Sequence, residues 1–472
     1  MQKQLEQSLL QGELADTESA VASALMPKVG RTISDAFRLP SVFRTSELAV
    51  GTVSLCAAEL YRLLSCLGQQ VSPPEIHLRL ASLWFGDSLK PVGWQAPDAW
   101  DAVAGDYPCA DGWIRLHTNL AHHRQAALKV LDCRGTREAV ADSVLRCKGD
   151  ELETAIVAEG GCAAAMRSRQ AWSQHLQGKA LQTEPLVCWS HADVAAGCTE
   201  RCKGKVVSAI SAGGLPLSGI RVLDLTRVLA GPAATRLLAA FGADVLRIDP
   251  FDWSETYPTL EMSVGKSRAH LDLKTSAGIA DLERLVKDAD VLVHGYRPGS
   301  LERLGLDAKR LYSLNPALIE ASLCAYGWSG PWAERRGFDS LVQMSCGIAH
   351  HGMEINKTDK PVPLPVQALD HGTGYLLAAS VLRALSHLYT HNRSSRARLS
   401  LARTAGLLLE TPLSAVSGTL RGSSDDDFRK AQELTDWGPV ARLEFPFNLP
   451  GITPGWTIPA GELRVHQPIW RE

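Results

Sequence analysis

The sequence predicts an α/β fold, a mainly parallel sheet flanked by helices, joined to a second, smaller α+β domain. Three observations carry this reading. From Ser218, "SGIRVLDLTRVLAGPAATRLLAAFGADVLRIDP" reads as strand, tight turn, helix and second strand. The alternation then continues to about residue 327, and strands separated by helices pair in parallel through right-handed crossovers. Residues 1–217 have another texture, with helical patterns, Pro- and Gly-interrupted stretches and one short strand.

Residues 1–40 read as a polar, acidic leader. "SELAVGTVSLCAAELYRLLSCLG" (46–68) places apolar residues at helical spacing and ends on Gly68, a good C-cap. Residues 72–110 show little periodicity. "DGWIRLHTNLAHHRQAALKVL" (111–131) reads as turn, strand and helix, and helical patterns run on to Leu186. A Gly-Gly pair and a Pro mark 199–216 as a linker. Beyond it, strands are expected at 220–225, 244–248, 267–273, 290–296 and 317–327, with helices from Pro232, over 277–287 and from Asp307. The loops 226–231, 249–253, 294–299 and 324–330 then share the carboxyl edge of the sheet, where such sheets bind ligands. The division is a leader (1–40), a first region (41–198), a linker (199–216) and a large domain (217–472).

Composition narrows the function. A net charge of −2 and the lack of a basic run give no field for nucleic acid. The N-terminus lacks a signal-sequence core, and no uninterrupted apolar run reaches bilayer-spanning length. A cytoplasmic protein without membrane or nucleic-acid partners is the expectation. The 11 cysteines are scattered, and Cys198 and Cys202 have no second ligand pair at zinc spacing. Reduced thiols and no metal site follow. A dinucleotide site is disfavoured too, because "TRVLAGPAAT" holds Gly231 alone where the fingerprint needs three glycines.

"PVPLPVQALDHGTGY" delivers Asp370 at the start of a helix, followed by Gly372 and Gly374, which allow close approach of a ligand. A helix N-terminus favours an ionised carboxylate there. The plainer alternative is that Asp370 caps the helix. An internal similarity sets "FRTSELAVGTVSLCAAEL" (43–60) against "VQALDHGTGYLLAASVL" (366–382), with Glu47 opposite Asp370 and Gly51 opposite Gly374.

Five segments resemble, in order and spacing, the family III CoA-transferases of the CaiB/BaiF type, such as formyl-CoA transferase and carnitine CoA-transferase. They are "LSGIRVLDLTRVLAGPAATRLLAAFGADVLRID" (217–249), "SRAHLDLKTSAG" (267–278), "DADVLVHGYRPGSLERLGLD" (288–307), "LNPALIEASLCAYGWSGPWAERRGFDSLVQMSCG" (314–347) and "ALDHGTGYLLAASVLRAL" (368–385). The resemblance implies a Rossmann-like large domain, an interlocked homodimer and no permanently bound cofactor. It implies an acyl-CoA and a small carboxylic acid as substrates, with CoA passing through an aspartyl-CoA thioester on Asp370. It places Val228, Leu229 and Ala230 along the CoA path, with Lys274, Arg297, Arg303 and Arg336 as candidate cations. Backbone N–H groups near Gly372 and Gly374 are the candidate oxyanion donors. Pro250 and Gly295 depart from the family pattern, at positions where members often carry Arg and Asn.

Acyl-CoA racemases share the fold, but their His falls on Phe338, which cannot act as a base. "DGWIRLHTNLAHHRQAALKVL" and residues 160–187 are similar to the segments that open and close the family's small domain. The chain therefore looks rearranged, with the small domain first and Glu47 at a vestigial nucleophile position. A non-catalytic CoA-binding or scaffold protein is the runner-up reading.

Overall fold

Two long helices, buried on almost every face, organise a structure that is a computed structural model describing residues 33–471. The expected leader falls outside the described residues as far as residue 32. The first of the helices is α1 (Thr45–Cys66), and Gly68 just beyond it takes a left-handed φ of 75°. By length and apolarity α1 could cross a bilayer, which the search for uninterrupted apolar runs had not suggested. It is instead packed inside the protein core.

A smaller unit follows. Strands β1 (Gly105–Cys109) and β2 (Gly112–Leu116), helix α2 (Ala121–Leu131) and strand β3 (Ala163–Ala165) build an antiparallel sheet in the order β1-β2-β3. Its own core gathers Val103, Tyr107, Ile114, Val140, Leu152 and Ile156. Strand β4 (Cys188–Asp193) and helix α3 (Ala196–Ser211) come next. The expected linker is thus mostly helix. Thr199 and Val206 turn its inner side to the protein, and only the Gly213-Gly214 pair breaks it.

The remaining elements are β5 (Arg221–Leu225), α4 (Ala230–Ala240), β6 (Asp244–Asp249), β7 (Lys266–His270), α5 (Ser276–Asp288), β8 (Val291–His294), β9 (Ile319–Cys324), α6 (Asp339–Ser345), α7 (Ala368–His391), β10 (Arg393–Ser400) and α8 (Leu401–Glu410). Seven strands form one sheet in the order β4-β10-β9-β8-β5-β6-β7. All neighbours are parallel except the edge pair β4–β10. Runs such as "VLDL" and "VLVH" are mostly apolar and buried on both faces, as strands covered by helices on each side must be.

α7 is buried from Ala368 through Tyr389, and it packs on β9 and β10 with α1 and α4 beside it. Residues of the first region do not stay together. α1 shares the main core with α7, and β4 completes the large sheet, so only about residues 103–165 form a separate small unit. The expected 41–198 region, a helix plus a small-domain-like part, thus divides, with the helix taken into the main core. The reason is that α1 has no solvent face and must be enclosed.

Candidate active site

In this sheet β5 lies between β8 and β6, so the chain leaves β5 towards one edge and returns to the other side at β8. A crevice opens at such a reversal, outside the carboxyl ends of the strands. The loop after β5 crosses it. Val228 takes φ 66°, a left-handed conformation costly for a β-branched residue. Its N–H donates to Glu255 Oε2 at 2.8 Å, and Glu255 is held by buried Arg247, which also pairs with Asp249 at 2.8 Å. Gly231 is required at the start of α4, because a Cβ there would lie 2.3 Å from Thr226.

The first turn of α7 faces the same crevice. Asp370 is 8% exposed, and among the described residues nothing donates a hydrogen bond to its carboxylate. Burial, then the nearby Asp339 carboxyl, push its pKa well above the ordinary carboxylate value. Asp370 is not the helix cap. That task falls to Asp339 on α6, whose Oδ2 accepts from the backbone N–H of Leu369 at 2.8 Å and of Asp370 at 3.0 Å. Gln343 donates to the other Asp339 oxygen, and burial raises Asp339 to about 6. Sequence reasoning missed Asp339. Its only signal was an acid beginning a helix in "GFDS", since the contact with α7 is tertiary.

Asp370 stands in the wall common to two cavities, as do Val228, Leu229 and Phe338. The first, about 530 Å³, holds Ala230, Lys274, Arg297 and Arg336 among the expected residues. Partial burial, then neighbouring Arg336 and Arg303, lower the pKa of Arg297. Such a cluster has cationic charge to spare for an anion. Arg303 itself is a correction: it is exposed, pairs with Glu334 at 3.2 Å and does not line the cavity. The sequence had not singled out Arg227, whose guanidinium lies between Trp253 (4.7 Å) and Tyr296 (5.4 Å) in the same cavity.

Gly372 and Gly374 are a second correction. Both lie inside α7 and face other helices, and neither lines a cavity. A Cβ at Gly372 would meet Leu48 at 3.0 Å, and one at Gly374 would meet the Ala230 carbonyl at 2.4 Å. These glycines bring α1 and α4 close to α7. At Gly295, by contrast, an added Cβ meets nothing within 4 Å.

The second cavity, about 310 Å³, lies on the other side of Asp370 and contains no Lys or Arg in its wall. The small unit reaches both spaces from the same chain, with His122 and His123 in the first and Trp100, His117 and Asn119 in or beside the second. His117 stacks on Phe338 at 3.7 Å, and burial lowers its pKa to about 3. Glu47 lines neither space. It pairs with Arg38 at 3.1 Å and lies 3.7 Å from Arg44.

Residues 217–427 match the model of CoA-transferase family III. An acyl-CoA transferase of Fusarium pseudograminearum is 33% identical over 41% of this chain and 46% of its own length. A probable fatty acyl-CoA transferase of Mycobacterium tuberculosis is 37% identical over 36% of this chain and 47% of its own. A succinate–glutarate CoA-transferase of Agrobacterium fabrum is 36% identical over 36% and 47%. The chain thus spans about half the length of the curated relatives it matches. The matched stretch includes β5, the strained loop, the cationic cavity wall and Asp370, and over residues 217–427 this chain is similar to the family III CoA-transferases.

Proposed function

We propose that this protein moves CoA from an acyl-CoA donor to a carboxylic acid acceptor, with Asp370 carrying the CoA between them. The observation that supports this most is the position of Asp370. An unpartnered carboxylate separates a cation-lined cavity suited to the phosphates of CoA from a cation-free one suited to an acyl group. An Asp370 oxygen attacks the thioester carbonyl, the C–S bond breaks, and CoA leaves as thiolate. The thiolate attacks the aspartyl carbonyl of the resulting mixed anhydride, and the C–O bond breaks to free the donor carboxylate. The acceptor carboxylate then repeats the two steps in reverse order.

Negative charge develops on the carbonyl oxygens, and preorganised donors stabilise it. The N–H groups of Ala230 and Gly231 are suited to this, because they open α4 and have no partner within the helix. Burial of Asp370 keeps water from the anhydride. Residues of the small unit and of the large sheet line both cavities together, so the small unit would contribute to substrate binding.

The test is peptide mass spectrometry after incubation with an acyl-CoA panel. A CoA-sized adduct on the Asp370 peptide, absent from Asp370→Asn, is the expected result. CoA binding without adduct or exchange across the panel would replace the transferase reading with a CoA-binding protein.

A further inference from the structure

The second cavity carries information about the acid that the enzyme handles. Four aromatic rings contribute to its wall, Phe85, Trp100, Tyr257 and Phe338, with Pro258, Pro365 and Val366 between them. Its charged groups are all acidic: Asp87, Glu261 and Asp370 itself. Arg236 and Arg115 both lie outside the wall. Arg236 is fully buried behind Glu261, which it meets at 3.0 Å. Arg115 lies over Trp100 at 4.8 Å and pairs with Asp106 at 2.8 Å. Asp87 has no cation at all, only the Tyr257 hydroxyl, which donates to it.

Three further polar groups in this wall are buried and neutral, and each keeps an atom without a partner: His117 Nδ1, Ser340 Oγ and His371 Nδ1. They can hydrogen-bond a hydroxyl or carbonyl of a bound acid but bring no positive charge. The volume is at the lower end of small-molecule sites, which run from about 300 to 1,000 Å³. The space inside the cavity matches one ring or a short branched chain, and a long acyl tail would have to run out through its mouth.

We propose that the carboxylic acid exchanged here is a monocarboxylate with an uncharged, ring-sized tail, and that dicarboxylates are rejected. This rests on the transferase reading, because the cavity receives the acyl group only if Asp370 is the carrier. A second carboxylate beyond the reacting one would enter a space bounded by Asp87 and Glu261 with no free cation. Asp87 repels it, and Glu261, already paired with Arg236, offers it no compensating cation. Substrate choice would then differ from that named for the succinate–glutarate relative.

The experiment compares phenylacetate, glutarate and palmitate as CoA acceptors at saturating acyl-CoA, read as kcat/KM. Phenylacetate is expected to exceed each of the others by about tenfold or more. Equal or better use of glutarate or palmitate overturns the inference and leaves the transferase reading standing. Asp87→Lys, an exposed position at the cavity mouth, is expected to raise glutarate use relative to phenylacetate. Calorimetry on Asp370→Asn keeps the inference testable if no exchange occurs. Phenylacetyl-CoA should then bind more tightly than glutaryl-CoA, and equal affinities would sink the cavity assignment.

Discussion

Replacing Asp370 by Asn should abolish turnover and, at neutral pH, stabilise the protein. Asp370 is enclosed, has no donor and faces Asp339. Its folded-state pKa therefore lies above the unfolded value. Between about pH 4 and that folded-state value, the native state holds a proton that the unfolded chain has released. Stability from this group falls as pH rises through the window, and the deficit is complete above it. For neighbouring Asp339, behind the wall, the rise from 3.8 to about 6 corresponds to about 3 kcal/mol for ionising that carboxyl. Asp370 shifts in the same direction, raised first by burial and then by Asp339, and the helix N-terminus offsets part of the cost. With an unfolding entropy of about 2.1 cal/mol/K per residue, each kcal/mol relieved appears as a Tm increase of about 1 °C for a chain of this length. The assay is thermal unfolding of both proteins at pH 7.5 and pH 4, beside CoA exchange. The gain should be present at pH 7.5 and vanish at pH 4, while exchange drops by about 10⁴-fold or more. A fall in Tm at pH 7.5 would show that the carboxylate holds the structure, and the argument for a poised nucleophile would fail.

Other outcomes follow from the same geometry. Exchange activity should rise with pH across the window in which the Asp339–Asp370 pair ionises, because only the carboxylate attacks; a flat profile from pH 5 to 8 would contradict this. Asp339→Ala removes the acceptor for two N–H groups at the start of α7 and should cost about 1–2 kcal/mol and lower kcat, with Asn restoring most of both. Gly374→Ala should lose stability by about 1–3 kcal/mol despite the better helix propensity of Ala, since the new Cβ meets the Ala230 carbonyl. Arg227→Ala should weaken CoA binding measured by calorimetry, while Arg303→Ala, outside the cavity, should not.

Five strands of the large sheet were legible because they are short, mostly apolar runs punctuated by Gly, Pro and Asp, and they fall within a few residues of expectation, whereas the polar edge strand β4 and the Arg- and Ser-rich β10 were not expected. Asp370 was legible because a local motif carries it. What the sequence hid was tertiary. Nothing local tells that Asp339 reaches across to α7, or that Gly374 serves helix contact and not a ligand. The segment 199–216 misled because its Gly-Gly pair suggested a linker, whereas Val206, Val207 and Ile210 recur at helical spacing and pack inward in part. The placement of Arg303 failed for a different reason. An Arg at the end of a short helix can point either to the crevice or to a neighbouring acid, and Glu334 takes it.

The relation between α1 and α7 is where local similarity and chemistry part. Glu47 and Asp370 are each the third residue of a long buried helix, and the helices meet near their N-termini, where Leu48 lies against Gly372. Position alone would make the two acids equivalent. Their surroundings do not. Asp370 lacks a partner and borders two cavities, whereas Glu47 is neutralised by Arg38 and borders neither. A carboxylate held by a guanidinium is a poorer nucleophile, and without a cavity no thioester can approach it. Glu47→Gln should therefore leave the adduct on the Asp370 peptide and the exchange rate within about twofold of the parent, with a small loss of stability from the broken ion pair. Labelling of a peptide that contains Glu47, or loss of exchange in this variant with its fold intact, would mean that both helices still carry chemistry and that the two surroundings differ less than these contacts indicate.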